Sequence, residues 1–357
     1  MLKDALLEKR CLMVCGGGGV GKTTVAASLA VAAARVRKRV LVVTIDPAKR
    51  LLQAFGFSDA LLQEGGAPLA LSGEVLARLG LPADAGLSVA ILNPKWVLDR
   101  IVSQSLGPGQ GTKLKETVIY REMGQMIHGL QEYTAYEWVT RMLTDDEYDL
   151  IVLDTPPAFH AKEFFNAPAK IRNLMESRVF QIFIPSGSSW IPSLLTFGWV
   201  EKLLGERIYR ESRMFFETFT ALRDRIIARC GKLSEFFSQR DVSVVVVGTP
   251  ESTPILELEG LIGFLEEKRI PIEAVVMNQV EVPSGFERES WASEVSPGVL
   301  EKLDEMKLHQ DAKADRAFES IQRVKARHPG REWVEFPMVY SLDGFEILRQ
   351  NSEKMRN

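Results

Sequence analysis

Residues 11–24 read Cys-Leu-Met-Val-Cys-Gly-Gly-Gly-Gly-Val-Gly-Lys-Thr-Thr, and this stretch decides the fold. A short apolar run leads into glycines, and the helix-forming residues 25–36 follow them. The pattern G-x-x-x-x-G-K-[ST] between a strand and a helix is typical of a phosphate-binding loop, because glycines let main-chain N–H groups surround phosphate oxygens. We therefore predict a nucleotide site here, in preference to a glycine-rich turn without a function.

Each residue type in this loop has a predicted contact. Lys22 is expected to reach the β- and γ-phosphates and to act in catalysis, and the Thr23 hydroxyl is expected to coordinate Mg²⁺. The predicted nucleotide-binding residues of the loop are Gly16, Gly17, Gly18, Gly19, Val20, Gly21, Lys22, Thr23 and Thr24.

Two further apolar runs end in an acid. Residues 40–45 lead to Asp46, and residues 150–153 lead to Asp154. Ligands collect at the carboxyl ends of parallel strands, so both acids should lie near the phosphates and the metal. Asp46 is a candidate to orient or deprotonate the attacking water, or it could simply cap the helix predicted to begin at Ala48. Asp154 is predicted to hold Mg²⁺, usually through water, and Asp46 is also a predicted metal residue.

Residues 241–248 and 272–277 are predicted as two further buried strands, and the residues after the second indicate which base the nucleotide carries. The second of these ends in Asn278 and Gln279, and an amide can pair with both the N6 amino group and the N7 acceptor of adenine. Glu281 stands where guanine-selecting loops carry Asp, which favours ATP as the cofactor, together with Mg²⁺. A turn-forming Asn278 is the alternative.

Composition narrows the class of protein. The net charge of −3 gives no overall electrostatic attraction for nucleic acid or an anionic membrane, so we expect no nucleic-acid partner. The first residues lack the apolar core of a signal peptide, and no apolar run is long enough to span a membrane, which predicts a cytoplasmic protein. Cys11, Cys15 and Cys230 form no CxxC pair, so neither a zinc clasp nor an arsenite site is expected.

The phosphate loop, Asp46-Pro47-Ala48, Asp154-Thr155-Pro156-Pro157 and Asn278-Gln279, in this order, resemble the ArsA family. That family includes arsenite-pump ATPases and ATPases that target tail-anchored membrane proteins, within the wider group of MinD and ParA. The resemblance spans roughly residues 12–348. It implies an ATP-hydrolysing dimer in which nucleotide state drives a conformational switch.

The resemblance also implies roles for individual residues. Asp46 matches the family's catalytic switch acid, and the turn at Pro337 matches the one that borders the adenine. The second switch comprises Asp154, Thr155, Pro156, Pro157 and His160. His160 would couple the nucleotide to neighbouring helices, or it is an ordinary histidine near a helix start.

One position departs from the family pattern. Gly17 stands where the family carries a signature lysine that reaches across the dimer to the partner's nucleotide. The partner is therefore either a second copy of this chain or a paralogous ATPase that carries the lysine, with Lys49 or Arg50 as other possible sources of the charge. A nucleotide-binding scaffold with little turnover is the remaining alternative.

The fold class expected is α/β, with a doubly wound, mostly parallel sheet and an inserted α-helical subdomain. The domain ranges expected are 1–85 for the first part of the core, 86–145 and 169–240 for the helical insertion, 146–168 for switch II and core, and 241–357 for the adenine-binding part. Helical apolar spacing supports the insertion at Met123, Met126, Ile127 and Leu130, and again at Met214, Phe215, Phe219, Leu222 and Ile226.

A client surface is predicted where Pro192 and Gly198 interrupt an aromatic stretch within the insertion. Its residues are Trp190, Ile191, Leu194, Leu195, Phe197 and Trp199. The partner expected there is a hydrophobic protein client or a membrane partner, and the alternative is that such residues pack on each other as a core. Family relatives leave open two other outputs, spatial positioning of the MinD or ParA kind and the energising of an anion transporter.

Overall fold

A computed structural model describes most of the chain. It covers residues 2–36, 39–45, 50–57, 67–106, 108–117, 120–121, 130–156, 158–177, 215, 222–233, 236, 241–288, 295–341 and 343–355. Asp46, Pro157 and the predicted client surface lie outside these residues, as do Met123, Met126, Ile127, Met214 and Phe219.

An eight-stranded sheet forms the centre of the described structure, in the order β3-β4-β2-β5-β1-β6-β7-β8. Its strands are β1 (Cys11–Gly16), β2 (Val40–Thr44), β3 (Leu69–Ala70), β4 (Leu87–Ile91), β5 (Leu150–Asp154), β6 (Val242–Gly248), β7 (Ile272–Val280) and β8 (Trp333–Pro337). Every neighbouring pair is parallel except β3 with β4. Strands β2 to β5 lie on one side of β1, and β6 to β8 lie on the other. The chain therefore winds outward from β1 in both directions, and this confirms the doubly wound α/β fold.

Helices cover both faces of the sheet. They are α1 (Leu2–Glu8), α2 (Lys22–Ala34), α3 (Arg50–Ala54), α4 (Gly73–Arg78), α5 (Pro94–Ser105), α6 (Pro108–Glu116), α7 (Leu130–Thr144), α8 (Ala158–Glu176), α9 (Ser252–Glu267), α10 (Pro297–Arg327) and α11 (Gly344–Lys354). Residues 222–233 are also helical.

The two helical layers follow from the alternation of side chains along the strands. In β1, Met13 and Cys15 belong to a core cluster with residues of α5, α7, α8 and α9. Leu12 and Val14 point to the other face and belong to a second cluster, with α1, α2 and α11. Because successive side chains of a strand point to opposite faces, a fully buried strand such as β1 serves both clusters.

The described part of the predicted insertion packs directly on the sheet. Helices α5, α7 and α8 contribute to the same core cluster as the strands, and Phe215, Leu222 and Ile226 are buried in it. Strand β4 falls in the range 86–145 and yet pairs with β2 in full parallel register. An insertion drawn on the structure would therefore begin after Ile91.

Helix α2, which begins at the phosphate loop, is buried almost throughout. Its residues 25–34 are inaccessible because the sheet covers one side of the helix and α11 packs against another. Phe345 and Leu348 of α11 join the same core cluster, and the Arg78 guanidinium stacks 3.8 Å from the centre of the Phe345 ring. Arg35 Nε at the end of α2 donates to Ser352 Oγ over 3.4 Å, a contact between residues 317 apart in sequence. Contacts with distant residues thus hold this helix in place.

None of the helices in the described part of the chain is both long enough and apolar enough to cross a membrane.

Candidate nucleotide-binding site

Strand register brings the ends of three strands together. Val14 of β1 and Thr44 of β2 are both paired with Asp154 at the end of β5. The phosphate loop, which follows β1, and the residues that follow β2 therefore start next to the Asp154 carboxylate. Asp46 comes two residues after Thr44, and its position lies outside the described residues, so its role stays a prediction.

The Asp154 carboxylate joins the phosphate loop to the second apolar strand. Its side chain is 2% exposed. Asp154 Oδ2 accepts hydrogen bonds from Thr23 Oγ1 at 2.8 Å and from Thr44 Oγ1 at 3.0 Å. Thr23 and Asp154, which are 131 residues apart in sequence, were predicted to share one metal complex, and the fold places their oxygen atoms in direct contact.

This pair of oxygen groups suits a magnesium ion. Mg²⁺ prefers hard oxygen ligands and is usually held by one or two protein groups together with the substrate phosphates and water. A threonine hydroxyl and a buried carboxylate in contact are such a donor set, so the residues present fit the metal that the sequence implies.

Lys22 begins helix α2 beside the loop that it would serve. The side chain is 8% exposed, and its Nζ donates a hydrogen bond of 2.6 Å to the carbonyl oxygen of Gly17. The buried ammonium therefore lies inside the glycine loop. Gly21 is the N-cap residue of α2, and because it has no side chain, no side-chain hydrogen bond caps the first-turn N–H groups. Such a helix start attracts anionic oxygens.

Asn278 supports the loop from the side, a role that the sequence did not predict. Its Nδ2 donates to the carbonyl oxygen of Val20 over 2.9 Å, and the residue is 6% exposed. Strand β7 continues three residues beyond Met277, so Asn278 lies inside the strand and not in a turn after it. One N–H of the amide is committed to the loop, and the adenine contact expected of Asn278 stays a prediction.

Gly21 is required by both its conformation and its surroundings. Its φ of 83° is in the left-handed region, and a Cβ built on it would overlap Asn278 Nδ2. We expect Gly21→Ala to lower the free energy of unfolding by about 2 kcal/mol or more, from left-handed strain and the displaced hydrogen bond to Val20. Urea denaturation followed by circular dichroism measures this.

The matched control for Gly21→Ala is Gly260→Ala. Gly260 is exposed in the middle of α9 and has no atom within 4 Å of its Cβ position, so alanine there is expected to stabilise by about 0.5–1 kcal/mol. Equal denaturation midpoints for the two variants would contradict the role given to Gly21.

A cavity of about 480 Å³ lies at the carboxyl ends of β6, β7 and β8, and Gln279, the residue after Asn278, is part of its lining. Its lining includes Gln279, Met338, Thr249, Pro250 and Arg316.

Pro337 pairs with Val280 at the end of β8, and the N–H of Met338 donates to the Val280 carbonyl, so the turn at Pro337 lies next to this cavity. The cavity is of a size for a base and ribose. The sequence analysis did not predict that Thr249 and Pro250 line this cavity. A usable signal was present, because an apolar strand is followed there by a polar residue and a proline. The same pattern led to the prediction at Asp46 and Pro47.

Gly17 lies next to an acid. A Cβ built on Gly17 would overlap the Oε2 atom of Glu257, an exposed residue of α9. The position at which the family resemblance implies a signature lysine is thus occupied in part by a carboxylate of this same chain. This neighbour was not predicted, since Glu257 is far from the loop in sequence.

The start of the second switch is held against β1. Thr155 is 3% exposed, and its Oγ1 donates to the Val14 carbonyl oxygen over 2.8 Å and lies 3.4 Å from Cys15 Sγ. Pro156 is partly buried. His160 lies in the first turn of α8, and its predicted coupling role remains a prediction because the placement of its side chain is not described.

All three cysteines of the chain are buried. Burial raises the pKa of Cys11 and of Cys15 to about 12, and it raises the pKa of Cys230 to about 11. The free thiols are therefore protonated at neutral pH, so binding of a soft metal would have to release those protons.

Together these contacts define a P-loop nucleotide-binding protein of the α/β class, with the glycine loop, its lysine and threonine, and the acid of a neighbouring strand in one place. A sequence profile of the family described as anion-transporting ATPase matches residues 9–305. The chain belongs to this ArsA family of ATPases, which confirms the resemblance found in the sequence.

Curated relatives agree with the profile. The chain is 26% identical to the ATPase GET3 of Malassezia globosa over 283 residues, covering 78% of this chain and 76% of the relative. It is 25% identical to the ATPase get3 of Aspergillus niger over 324 residues, covering 89% and 87% respectively. It is also 25% identical over 275 residues to an ATPase ASNA1 homologue of Entamoeba dispar, covering 75% and 76%.

Proposed function

We propose that this chain is a magnesium-dependent ATPase that works as a dimeric, nucleotide-driven switch and delivers a hydrophobic protein segment. The observation that carries the ATPase part is the 2.8 Å contact between Thr23 and Asp154, because it joins the phosphate loop to the strand-end acid. Family membership supports the same reaction.

In this proposal each polar group has one task. Lys22 and the loop glycines hold the β- and γ-phosphates, and Asp46 orients the attacking water. Thr23 and Asp154 hold Mg²⁺, which would neutralise charge on the two terminal phosphates as the bond to the γ-phosphate breaks. Asn278 and the turn at Pro337 hold adenine in the adjacent cavity.

The switch follows from how the second acid is anchored. Asp154 is bonded to Thr23, and the next residue, Thr155, is bonded to the backbone of β1. Any change in the Thr23–Asp154 contact on hydrolysis acts on the chain that leads directly into α8. Loss of a γ-phosphate from such a segment commonly releases it, and this would open and close the helical layer.

The client proposed is an apolar segment of a membrane protein. Three observations support it: the relatives named above, the membership of tail-anchored-protein ATPases in the same family, and the apolar stretch Trp190–Trp199, which is rich in aromatic residues. The partner proposed is a second ATPase subunit, either a copy of this chain or a paralogue with the signature lysine.

A second candidate is a subunit that binds nucleotide and turns it over slowly by itself. The overlap between Glu257 and the Cβ position of Gly17 favours it, because a carboxylate near the terminal phosphates repels the charge that develops during hydrolysis. In this case a paralogous partner supplies the cation.

The client proposal is tested with a labelled peptide of about 20 apolar residues, the length that spans a bilayer. We expect the Asp46→Asn variant, held with ATP and Mg²⁺, to capture this peptide at least about 10-fold more tightly than the nucleotide-free protein. Fluorescence anisotropy measures the two affinities.

Two controls make the client test specific. A peptide of the same length that carries three lysines should not bind, and Trp190→Asp should lose binding while ATP affinity is kept. Equal capture with and without ATP would refute nucleotide-driven delivery, and ATP turnover measured in parallel would still decide the ATPase part separately.

A further inference from the structure

A second cavity lies in the helical layer, outside the nucleotide site. Its volume is about 430 Å³, and it is bounded by α5, α7 and the helical residues 222–233. We name it the α5–α7 cavity. Its lining includes Trp96, Arg100, Thr140, Arg141, Arg229 and Lys232, and none of its lining residues in the described chain belongs to the nucleotide loop or to the cavity beside Asn278.

Cations outnumber acids in this lining. Arg141 pairs with Asp145 at 3.1 Å, and Arg229 pairs with Glu137 at 2.9 Å. Among the residues that the structure describes, neither Arg100 nor Lys232 has a carboxylate partner at ion-pair distance. Two positive charges of the cavity are therefore left over after its internal pairs are formed.

Two buried polar atoms at the cavity have no hydrogen-bond partner within the described chain. They are Arg141 Nη1, a guanidinium donor, and Thr140 Oγ1. Buried polar atoms normally have partners, and a donor without an acceptor costs free energy, so these two atoms are unsatisfied groups in the wall of the cavity. Burial lowers the pKa of Arg100 and the positive charge of Arg141 lowers it further, whereas the Asp145 carboxylate raises it.

An aromatic ring completes the lining. The Arg100 guanidinium lies 5.5 Å from the centre of the Trp96 ring, so an arginine and an apolar ring border the same space. Guanidinium groups bind carboxylate and phosphate oxygens in pairs of hydrogen bonds, and an aromatic face packs against a flat or apolar body. The volume is within the range of small-molecule sites.

We propose that the α5–α7 cavity binds a small organic oxyanion, with its carboxylate or phosphate on Arg100, Arg141 and Lys232 and its apolar body against Trp96. This goes beyond the proposed function, since the ligand is not the nucleotide. Because α7 leads through a short turn into β5 and Asp154, an occupant that ties α5 and α7 together would also steady the approach to the metal-binding strand.

The test uses phenyl phosphate and benzoate as probes, with the full chain saturated with ADP and Mg²⁺ so that the nucleotide loop is already filled. We expect isothermal titration to give a Kd below about 1 mM for at least one probe. We expect Arg100→Gln and Lys232→Gln each to weaken that binding by about 10-fold, because a charge-assisted hydrogen bond is lost. The tighter probe identifies whether the natural group is a phosphate or a carboxylate.

Controls separate this site from general attraction to positive charge. Lys95→Gln removes an exposed cation of the same helix α5 that does not line the cavity, and it should leave the Kd within about twofold. Benzyl alcohol, which lacks the charge, should not bind. The proposal is overturned if neither probe binds at about 10 mM, or if Arg100→Gln and Lys232→Gln bind as the unchanged chain does while their melting temperatures are normal.

Discussion

Asp154→Asn is expected to reduce ATP turnover by at least about 100-fold, because the variant removes the charge that we propose holds the metal while keeping the size of the side chain. The asparagine carbonyl oxygen can still accept the hydrogen bonds from Thr23 and Thr44, so the strand ends should stay in place. Phosphate release measured over a range of Mg²⁺ concentrations is the assay, and a higher Mg²⁺ requirement should accompany the loss.

Asp149→Asn is the matched control for this variant. Asp149 immediately precedes β5, at the amino-terminal ends of the strands and away from the nucleotide loop. It pairs there with Arg39 at 2.7 Å in an exposed position. Exposed pairs of this kind contribute about 1 kcal/mol or less, so turnover should change by less than about twofold. If Asp154→Asn turned over ATP as fast as Asp149→Asn, the metal role of Asp154 would be wrong.

Gly17→Lys combined with Glu257→Gln is expected to raise turnover by at least about 10-fold in a dimer of identical chains, since a cation that reaches a partner's phosphates can be worth about 10³ or more in rate. Gly17→Lys alone should gain less. The Glu257 carboxylate adjoins the new side chain and would pair with its ammonium within the same subunit. Steady-state phosphate release from the single and double variants measures the difference.

The control for this pair is Gly17→Gln with Glu257→Gln, which adds a side chain of similar reach without the charge. It should not exceed the turnover of the unchanged chain. No gain from the lysine in either background, with dimer formation verified by light scattering, would show that a cation in this position is not what limits hydrolysis. The interpretation that a catalytic cation is missing at position 17 would then fail.

Local sequence predicted the elements that carry strong local signals. Strand β5 was placed at its observed end, Asp154, because an uninterrupted apolar run followed by an acid and prolines leaves little choice. The loop between β1 and α2 was likewise predicted from its glycines and lysine. The contact between Thr23 and Asp154 could be expected as well, since parallel strands bring their carboxyl ends to one edge.

The remaining features depend on contacts between distant residues. The end of β7 was placed too early because Asn278 looks like a turn residue, yet its amide is buried against Val20 of the loop. Glu257 beside Gly17 could not be predicted, because it depends on how α9 packs after β6. The helix α11 was missed as a structural element: its few large apolar residues are enough to dock it on α2, a partner that the local pattern does not reveal.

The docking of α11 on α2 has a consequence for biosynthesis. Helix α2, which presents Lys22 and Thr23, is translated well before α11, since Arg35 and Ser352 at their contact are 317 residues apart in sequence. A nascent chain therefore carries the nucleotide loop on a helix whose apolar side is still partly bare. An exposed apolar face of this kind favours aggregation until α11 has been translated and covers it.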